Sequence, residues 1–354
     1  MSYGGCRVHI PAILKLISCQ KRKTHNFCRR NIETIRPVSI KQLLNTSLMK
    51  IYIAPVQGHT DAAWRHFHQE TYGGDNSYFT PFIRCDHGEL RKQDLKDFTS
   101  PLNDNIDLEP QVIFRDTDEL DILLSRLAAE GAEKVNLNMG CPFPLQTGKG
   151  RGAGFLRNVE ESKKIPSILN KYPALSYSVK MRLGYEDPIE WRNILPILNS
   201  LDLRHIAVHP RVARQQYSGD LYFDQFEAIL SESQNPVVFN GEIHTPDDIE
   251  NIARKYPSIA GIMTARGILG RPSLAREYES GKKLDRMERI SKMLEFHRIL
   301  FDHYSSILCG DSQIISKIKP FWEYAEDEIG RKAWKAIKKA GNIAKYHSAV
   351  AMIE

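Results

Sequence analysis

The stretch "EPQVIFRDTDELDILLSRLAAEGAEKVNLNM", residues 109–139, reads as a strand, a helix and a second strand. Its two ends, 109–114 and 134–139, have the length and apolar content of buried strands. The middle, 116–132, carries an apolar stripe at helical spacing, formed by Leu120, Leu123, Leu124 and Leu127. Gly131 is a typical helix stop. Two strands joined by a helical crossover are parallel, so this stretch predicts a parallel α/β fold.

The same alternation extends along most of the chain. Six further candidate strands lie at 50–55, 77–83, 176–183, 204–210, 235–241 and 261–267. Eight strand–helix units within residues 49–280 predict a (β/α)8 TIM barrel, a fold of about 250 residues. The rival, a doubly wound open sheet, usually has a G-x-G-x-x-G turn after its first strand, and "IAPVQGHTD" (53–61) contains none. We therefore predict the barrel.

After residue 280 the strand pattern stops, and residues 281–354 predict a small C-terminal helical domain. Its candidate helices lie within 284–308, 311–325 and 328–350. The last of these carries a basic face of Arg331, Lys335 and Lys338, opposite Trp334 and Ile337. Such a face is either a contact for nucleic acid or an ordinary solvated surface.

Composition and charge narrow the class of protein. The chain has 354 residues, 42% of them hydrophobic and 26% charged, which is ordinary for a globular protein. No apolar run reaches the roughly 20 residues that span a bilayer, so no membrane association is expected. The six cysteines have irregular spacing and no C-x-x-C pair, which favours reduced thiols in a cytosol-like compartment.

Charge is distributed unevenly along the sequence. Residues 1–48 have a net charge of +8, residues 49–280 of −6 and residues 281–354 of +4. The basic extension 1–48 allows three interpretations: an organelle transit peptide, a nucleic-acid-binding arm, or a segment upstream of a start at Met49. We favour the last, together with a cytoplasmic location.

Polar side chains cluster at the predicted carboxyl ends of the strands, where TIM barrels carry their chemistry. They are Gln111, Asn138, Cys141, Lys180, Arg182, His209, Arg211, Asn240, Glu242 and Arg266. A charged Lys180 inside a strand costs several kcal/mol unless it is paired. A structural salt bridge is one explanation, and a shared ligand with acceptor atoms is another. A flavin fits the second, since its ring offers carbonyls and its phosphate suits the glycines in 240–243 and 264–271.

Five motifs together resemble the tRNA-dihydrouridine synthase family. In chain order they are "NMGCP" (138–142), "VKMR" (179–182), "VHPR" (208–211), "NGEI" (240–243) and "ARGILGRP" (265–272). Each motif alone is weak, but the ordered set is specific, and the resemblance extends over about 49–275. It implies an FMN-dependent oxidoreductase that reduces uridine in the D-loop of tRNA with NADPH.

The resemblance also implies roles for individual residues. Cys141 donates a proton to uracil C5, and Asn138 helps to hold the base. The implied cofactor contacts are Pro55, Gln57, Gln111, Lys180, His209, Asn240, Glu242, Ala265 and Arg266. We also expect tRNA contacts from Arg182 and Arg211, and from Arg331, Lys335 and Lys338, because the basic surface of the helical domain favours a nucleic-acid substrate. Ala265 departs from the glycine that the family usually has.

The neighbours of Cys141 are informative in themselves. Gly140 before it and Pro142 after it predict a rigid turn that aims the thiol, although most cysteines are inert buried residues. The glycine-rich segment 147–154 predicts a mobile loop that closes over RNA, or a simple surface loop. It is not a P-loop, because no Ser or Thr follows Lys149.

Two other classes of function remain open from the sequence. One is a flavin-dependent reductase of a small molecule, similar to dihydroorotate dehydrogenases or old yellow enzymes. The other is a non-catalytic RNA-binding protein, which has no need of Lys180 or of the Cys141 turn. The histidines lack H-E-x-x-H spacing, so no metal is expected. We expect a monomer, and the sequence leaves open which D-loop uridine is modified.

Overall fold

Eight parallel strands form a closed barrel in the computed structural model, which describes residues 48–353. The predicted extension 1–48 lies outside these residues except for Leu48. The barrel strands are Lys50–Ile53, Asn76–Phe79, the interrupted strand Leu108–Glu109 with Gln111–Ile113, Lys134–Met139, Ser176–Gly184, Leu203–Val212, Val237–Asn240 and Gly261–Thr264. Each pairs with the next, and the eighth pairs with the first, Lys50 opposite Gly261. The predicted TIM barrel is confirmed.

Two predicted strands are interrupted at prolines, which lack the N–H that a ladder needs. At Pro110 the third barrel strand changes partner: Leu108–Glu109 pairs with the second strand and Gln111–Ile113 with the fourth. The predicted strand 77–83 also breaks, at the segment containing Pro81. Its last residue begins a short hairpin, Ile83–Asp86 and Glu89–Leu90, above the second barrel strand.

Helices cover the outside of the barrel. Those of the barrel region are Ala62–Tyr72, Lys92–Phe98, Thr117–Ala129, Pro144–Thr147, Val159–Ser162, Ile165–Leu169, Leu195–Asn199, Phe223–Glu232, Pro246–Lys255, Arg266–Gly270 and Leu274–Ser280. Short 3-10 turns span Pro101–Asn103, Gly152–Arg157, Glu190–Asn193 and Ala213–Gln215. Thr245 caps the helix that follows it, accepting a hydrogen bond from Asp248 N at 3.2 Å, as its sequence predicts.

The C-terminal part is helical, as predicted, but its last segment is interrupted. Its helices are Arg286–Ile307, Asp311–Ile318, Glu326–Ile329, Arg331–Lys339 and Ile343–Val350, with a 3-10 turn at Lys319–Trp322. The predicted continuous helix 328–350 breaks at Gly330 and again at 340–342, because Gly330 has φ of 84°, outside helical values. Within residues 48–353 no helix is long and apolar enough to cross a membrane.

Strand alternation separates the main core from the site. In the fifth strand Val179, Met181 and Leu183 pack outward against the helices, so Lys180 and Arg182 point inward. A small apolar cluster inside the barrel consists of Ala54, Phe79, Ala207, Val238 and Met263. The polar residues of the strand ends share this inward phase, which directs them into one cavity.

Candidate active site

A cavity of about 610 Å³ lies at the carboxyl ends of the strands. Its volume falls within the roughly 300–1,000 Å³ of small-molecule and cofactor sites. Twelve of the residues proposed from the sequence line it: Pro55, Gln57, Gln111, Asn138, Cys141, Lys180, Arg182, His209, Asn240, Glu242, Ala265 and Arg266. The structure thus brings together predicted residues from seven of the eight barrel strands or the segments that follow them, all but the second strand.

Four predicted residues lie elsewhere. Arg211 is buried beside the cavity, where its guanidinium donates to Gly219 O at 2.6 Å and to Glu242 Oε1 at 2.5 Å. The guanidinium N–H groups of Arg211 are thus bound to other residues of the protein, which gives no support to the predicted tRNA contact. The three cations of the C-terminal basic face, Arg331, Lys335 and Lys338, are exposed on the helix Arg331–Lys339. Trp334 is buried, but it does not lie opposite all three cations as predicted, because Lys338 Nζ is 4.9 Å from its ring centre.

A hydrogen-bonded turn holds Cys141. The side-chain oxygen of Asn138 accepts from the backbone N–H groups of Gly140, at 3.0 Å, and Cys141, at 2.9 Å. The Asn138 amide nitrogen donates to Gln111 Oε1 at 2.7 Å, and Gln111 Nε2 donates to Asn136 Oδ1 at 2.7 Å. Asn138 therefore fixes the turn that carries the thiol. Gln111 keeps one donor hydrogen and one acceptor lone pair for a ligand.

The glycine-rich segment packs beneath this turn. Gly152 has φ of 57°, and a Cβ there would lie 2.8 Å from the Cβ of Cys141. Ala153 N donates to Cys141 O at 3.1 Å. Arg151 is buried and donates to both carboxylate oxygens of Glu119, at 2.6 and 3.1 Å. The expectation of a mobile loop over the RNA is wrong for residues 151–154, which instead support the thiol from below.

Burial and neighbouring charge set the protonation states at the site. Burial raises the pKa of Cys141, although the Phe143 backbone N–H, Lys180 and Arg182 act in the opposite direction, so the thiol stays protonated at neutral pH. Burial and repulsion from Arg182 lower the pKa of Lys180 to about 8. Burial, reinforced by Arg182 and Lys180, holds the pKa of His209 well below its usual value, so the imidazole is neutral.

The amine of Lys180 lines the cavity and has no partner in the described part of the chain. It makes no hydrogen bond or ion pair with any residue there, so the structural salt bridge considered from the sequence is not formed among these residues. The charge of Glu242, in contrast, is compensated: its carboxylate accepts from Arg211 and, at 2.9 Å, from Arg266. Lys180 is therefore a partly buried cation, unpaired among the described residues, that is free to bind an acceptor atom of a ligand.

Glycines bring backbone close to the end of the cavity formed by the seventh and eighth strands. A Cβ on Gly267 would lie 1.8 Å from Ile243 O, which no side chain allows. Gly241 has φ of 140° and packs on the ring of His209, where an added Cβ would lie 3.2 Å from the ring Cδ2. Asn240 donates to Met263 O at 2.8 Å, which joins the two strands. At Gly267 and Gly241, therefore, only glycine leaves room for this packing between the two strand ends.

Sequence reasoning missed several residues of the cavity wall. Arg84 and Arg91 come from the hairpin region after the second strand, and Tyr324 comes from the helical part. Tyr217 lies between two cations, with the guanidinium carbon of Arg266 4.8 Å from its ring centre. The hairpin arginines could have been found, because they follow a predicted strand end. Nothing in the local sequence around Tyr324 points to the barrel.

Five Lys or Arg side chains and one carboxylate line the cavity within the described residues, so its mouth is cationic. The same part of the chain contains no group of three His, Cys, Asp or Glu side chains placed to hold a metal ion. The arrangement combines a protonated thiol, a partly buried amine and amide groups around one space. It suits a planar ligand with carbonyl acceptors and an anionic tail.

Comparison with known proteins gives a consistent picture. A family model described as dihydrouridine synthase matches residues 52–345. The probable tRNA-dihydrouridine synthase of Staphylococcus epidermidis (strain ATCC 35984) is 30% identical over 260 residues, covering 71% of this chain and 78% of that protein. The probable tRNA-dihydrouridine synthase 2 of Bacillus subtilis (strain 168) is 29% identical over 262 residues, covering 72% of this chain and 78% of that protein.

Among solved structures, histamine dehydrogenase from Rhizobium sp. 4-9 aligns with a TM-score of 0.48 and 13% identity. The alignment covers 66% of this chain and 46% of that one.

Proposed function

Because the chain belongs to the dihydrouridine synthase family, we propose that it reduces uridine in the D-loop of tRNA, with FMN as cofactor and NADPH as reductant. The observation that carries the proposal is the Cys141 thiol, which Asn138 holds at a cavity also lined by the amine of Lys180. Family membership gives the reaction, and this arrangement supports its chemistry in this chain.

The donor set of the cavity fits FMN. Lys180 and Gln111 offer hydrogen-bond donors to the carbonyl edge of a flavin ring, and Pro55 and Gln57 line the wall beside it. Asn240, Ala265 and Arg266 line the end of the cavity formed by the seventh and eighth strands, where we expect the phosphate. Ala265 adds a methyl group where the family usually has glycine. The methyl group narrows the space between the backbone and the proposed phosphate without blocking the cavity. We propose that these residues bind the cofactor.

FMN held by these residues would supply the hydride that the proposed reaction adds to C6 of the uracil. The Cys141 thiol then donates its proton to C5, so the 5,6 double bond gains two hydrogens. A raised thiol pKa suits this role, because a general acid must hold its proton at the working pH. Lys180 provides positive charge where negative charge develops on the cofactor. The neutral His209 can donate or accept a hydrogen bond without adding charge.

We further propose that the C-terminal basic face, Arg331, Lys335 and Lys338, contacts the tRNA backbone. These side chains are exposed in the described structure, and phosphate contacts supply most of the sequence-independent affinity for nucleic acid.

The test is direct reduction of an unmodified tRNA transcript. Purified protein supplied with FMN and NADPH is incubated with the transcript, and its nucleosides are separated and weighed by mass spectrometry. The proposal predicts uridine that has gained the mass of two hydrogen atoms, confined to the D-loop. A protein that binds flavin but leaves every tRNA uridine unchanged, while reducing a small enone or orotate, would contradict it.

A further inference from the structure

Two exposed apolar side chains that the proposed reaction does not use follow the thiol closely in the chain, and the first of them lines the cavity. Phe143 is 55% exposed and Leu145 is 68% exposed. We call this pair the apolar step. Phe143 lines the cavity and lies only two residues from Cys141. Single exposed apolar residues are common on proteins and need no explanation. The position and rigidity of this pair, however, are unusual.

The backbone of Phe143 is fixed on both sides. It lies between Pro142 and Pro144, and the second proline restricts it to the extended values observed, φ −63° and ψ 125°. Its carbonyl accepts from Gln146 N at 2.8 Å and Thr147 N at 3.0 Å. The aromatic ring is therefore presented to solvent on a preorganised support, so binding a ligand there costs little conformational entropy in the protein.

The charge around the apolar step identifies its partner. Arg84, Arg91, Arg182 and Arg266 line the same cavity, so the ring lies in a cationic mouth. Phe143 and guanidinium groups line one cavity, and this combination suits single-stranded RNA, whose bases stack on aromatic rings while its phosphates contact cations. A protein or lipid partner would use the apolar surface but would not require the planar ring.

We propose that Phe143 stacks on the nucleobase adjacent to the uridine that enters the cavity, with Leu145 packing against the edge of that base. This inference rests on the proposed function and extends it from the reacting base to a neighbouring one. The stack would hold the D-loop of the tRNA open beside Cys141 and help to determine which uridine the protein reduces.

Three substitutions at one position test the stack. Phe143→Ala should raise the tRNA concentration for half-maximal dihydrouridine formation about tenfold, the effect of removing one base–aromatic stack. Phe143→Tyr keeps the ring and should stay within about twofold of wild type, whereas Phe143→Leu should resemble Ala because it is apolar but not planar. Met287→Ala, which removes a side chain 62% exposed on the helical part, is the matched control. Flavin absorbance verifies folding of every variant.

Abasic tRNAs identify the stacked base. With wild-type protein, removing the base on one side of the target uridine should raise the tRNA concentration for half-maximal dihydrouridine formation by a similar factor. With Phe143→Ala, removing the same base should cause no further rise. The inference is overturned if Phe143→Ala matches wild type, if Phe143→Leu matches Phe143→Tyr, or if neither abasic tRNA has an effect. A rise in the KM for NADPH instead of tRNA would assign the ring to the reductant and also overturn it. Absence of dihydrouridine with wild-type protein would refute the proposed function itself.

Discussion

Lys180 shows how a single side chain can report the state of the cavity. Burial and the Arg182 guanidinium lower the pKa of its amine to about 8, so the neutral, nucleophilic form appears as the pH rises through that value. In the unfolded chain both causes vanish and the pKa returns to about 10.4. The folded protein therefore carries a destabilised ammonium below pH 8, which a ligand with acceptor atoms would stabilise.

This pKa predicts the labelling behaviour of Lys180. In cofactor-free protein, the rate at which Lys180 reacts with a small amine-reactive reagent should rise with pH, with a midpoint near pH 8. Peptide mass mapping measures this rate. In denatured protein the midpoint should move up toward about 10.4. Added FMN should protect the amine. A folded-state midpoint equal to the denatured one would contradict this description of the cavity.

At the residue scale the sequence predicted the identity of the site better than its internal contacts. Cys141 and Lys180 were identified because a thiol between Gly and Pro, and a lysine inside a strand, are unusual on physical grounds. The involvement of Asn138 in the Cys141 turn could not be predicted, because it depends on the positions of two backbone N–H groups. Arg211 was assigned outward to RNA, whereas its partners Gly219 and Glu242 hold it inside.

At the scale of elements, the packing of the glycine-rich segment 147–154 also could not be predicted from its sequence. Its composition suggested mobility, but glycine also permits close packing, and Gly152 packs against Cys141. The strand order and most helices followed from periodicity and capping residues. The breaks within the predicted strands could not be predicted in this way. At Pro110 the third barrel strand changes its pairing partner, and this depends on which strands lie on either side of it.

The buried ion pair between Arg151 and Glu119 gives a prediction for this element. Arg151→Ala leaves Glu119 buried without its partner, which should lower the free energy of unfolding by about 3–5 kcal/mol, measured in urea. The double variant Arg151→Met with Glu119→Gln removes both charges and should recover much of this stability. If Arg151→Ala unfolds at the wild-type urea concentration, the segment is not held as the structure indicates.

At the scale of the whole molecule, net charge differs between the barrel region and the C-terminal helical part. The barrel region 49–280 carries a net charge of −6, while residues 281–354 carry +4. If tRNA is the substrate, as proposed, we expect the first region to repel it and the second to attract it, which would orient it before it reaches the cavity. This asymmetry was visible in the sequence. How the helical part reaches the cavity, through Tyr324, was not.

Replacing the C-terminal basic face tests this orientation. The triple variant Arg331→Ala, Lys335→Ala and Lys338→Ala should weaken tRNA binding and reduce the salt slope of log Kd by about one unit for each phosphate that is no longer neutralised. The matched control replaces Lys163, Lys164 and Lys171, which are paired with carboxylates on the outer helices. Equal affinities and slopes for both triple variants would make the basic face an ordinary solvated surface.

The variant Cys141→Ala tests the proposal that the Cys141 thiol donates a proton to C5 of the uracil. Cofactor absorbance and dihydrouridine in tRNA are measured on the same preparation, with the exposed Cys309→Ala as control. We predict that Cys141→Ala retains its flavin while its rate of dihydrouridine formation falls about 10²- to 10⁴-fold. We predict that Cys309→Ala forms dihydrouridine at the wild-type rate. Wild-type turnover by flavin-loaded Cys141→Ala would contradict it.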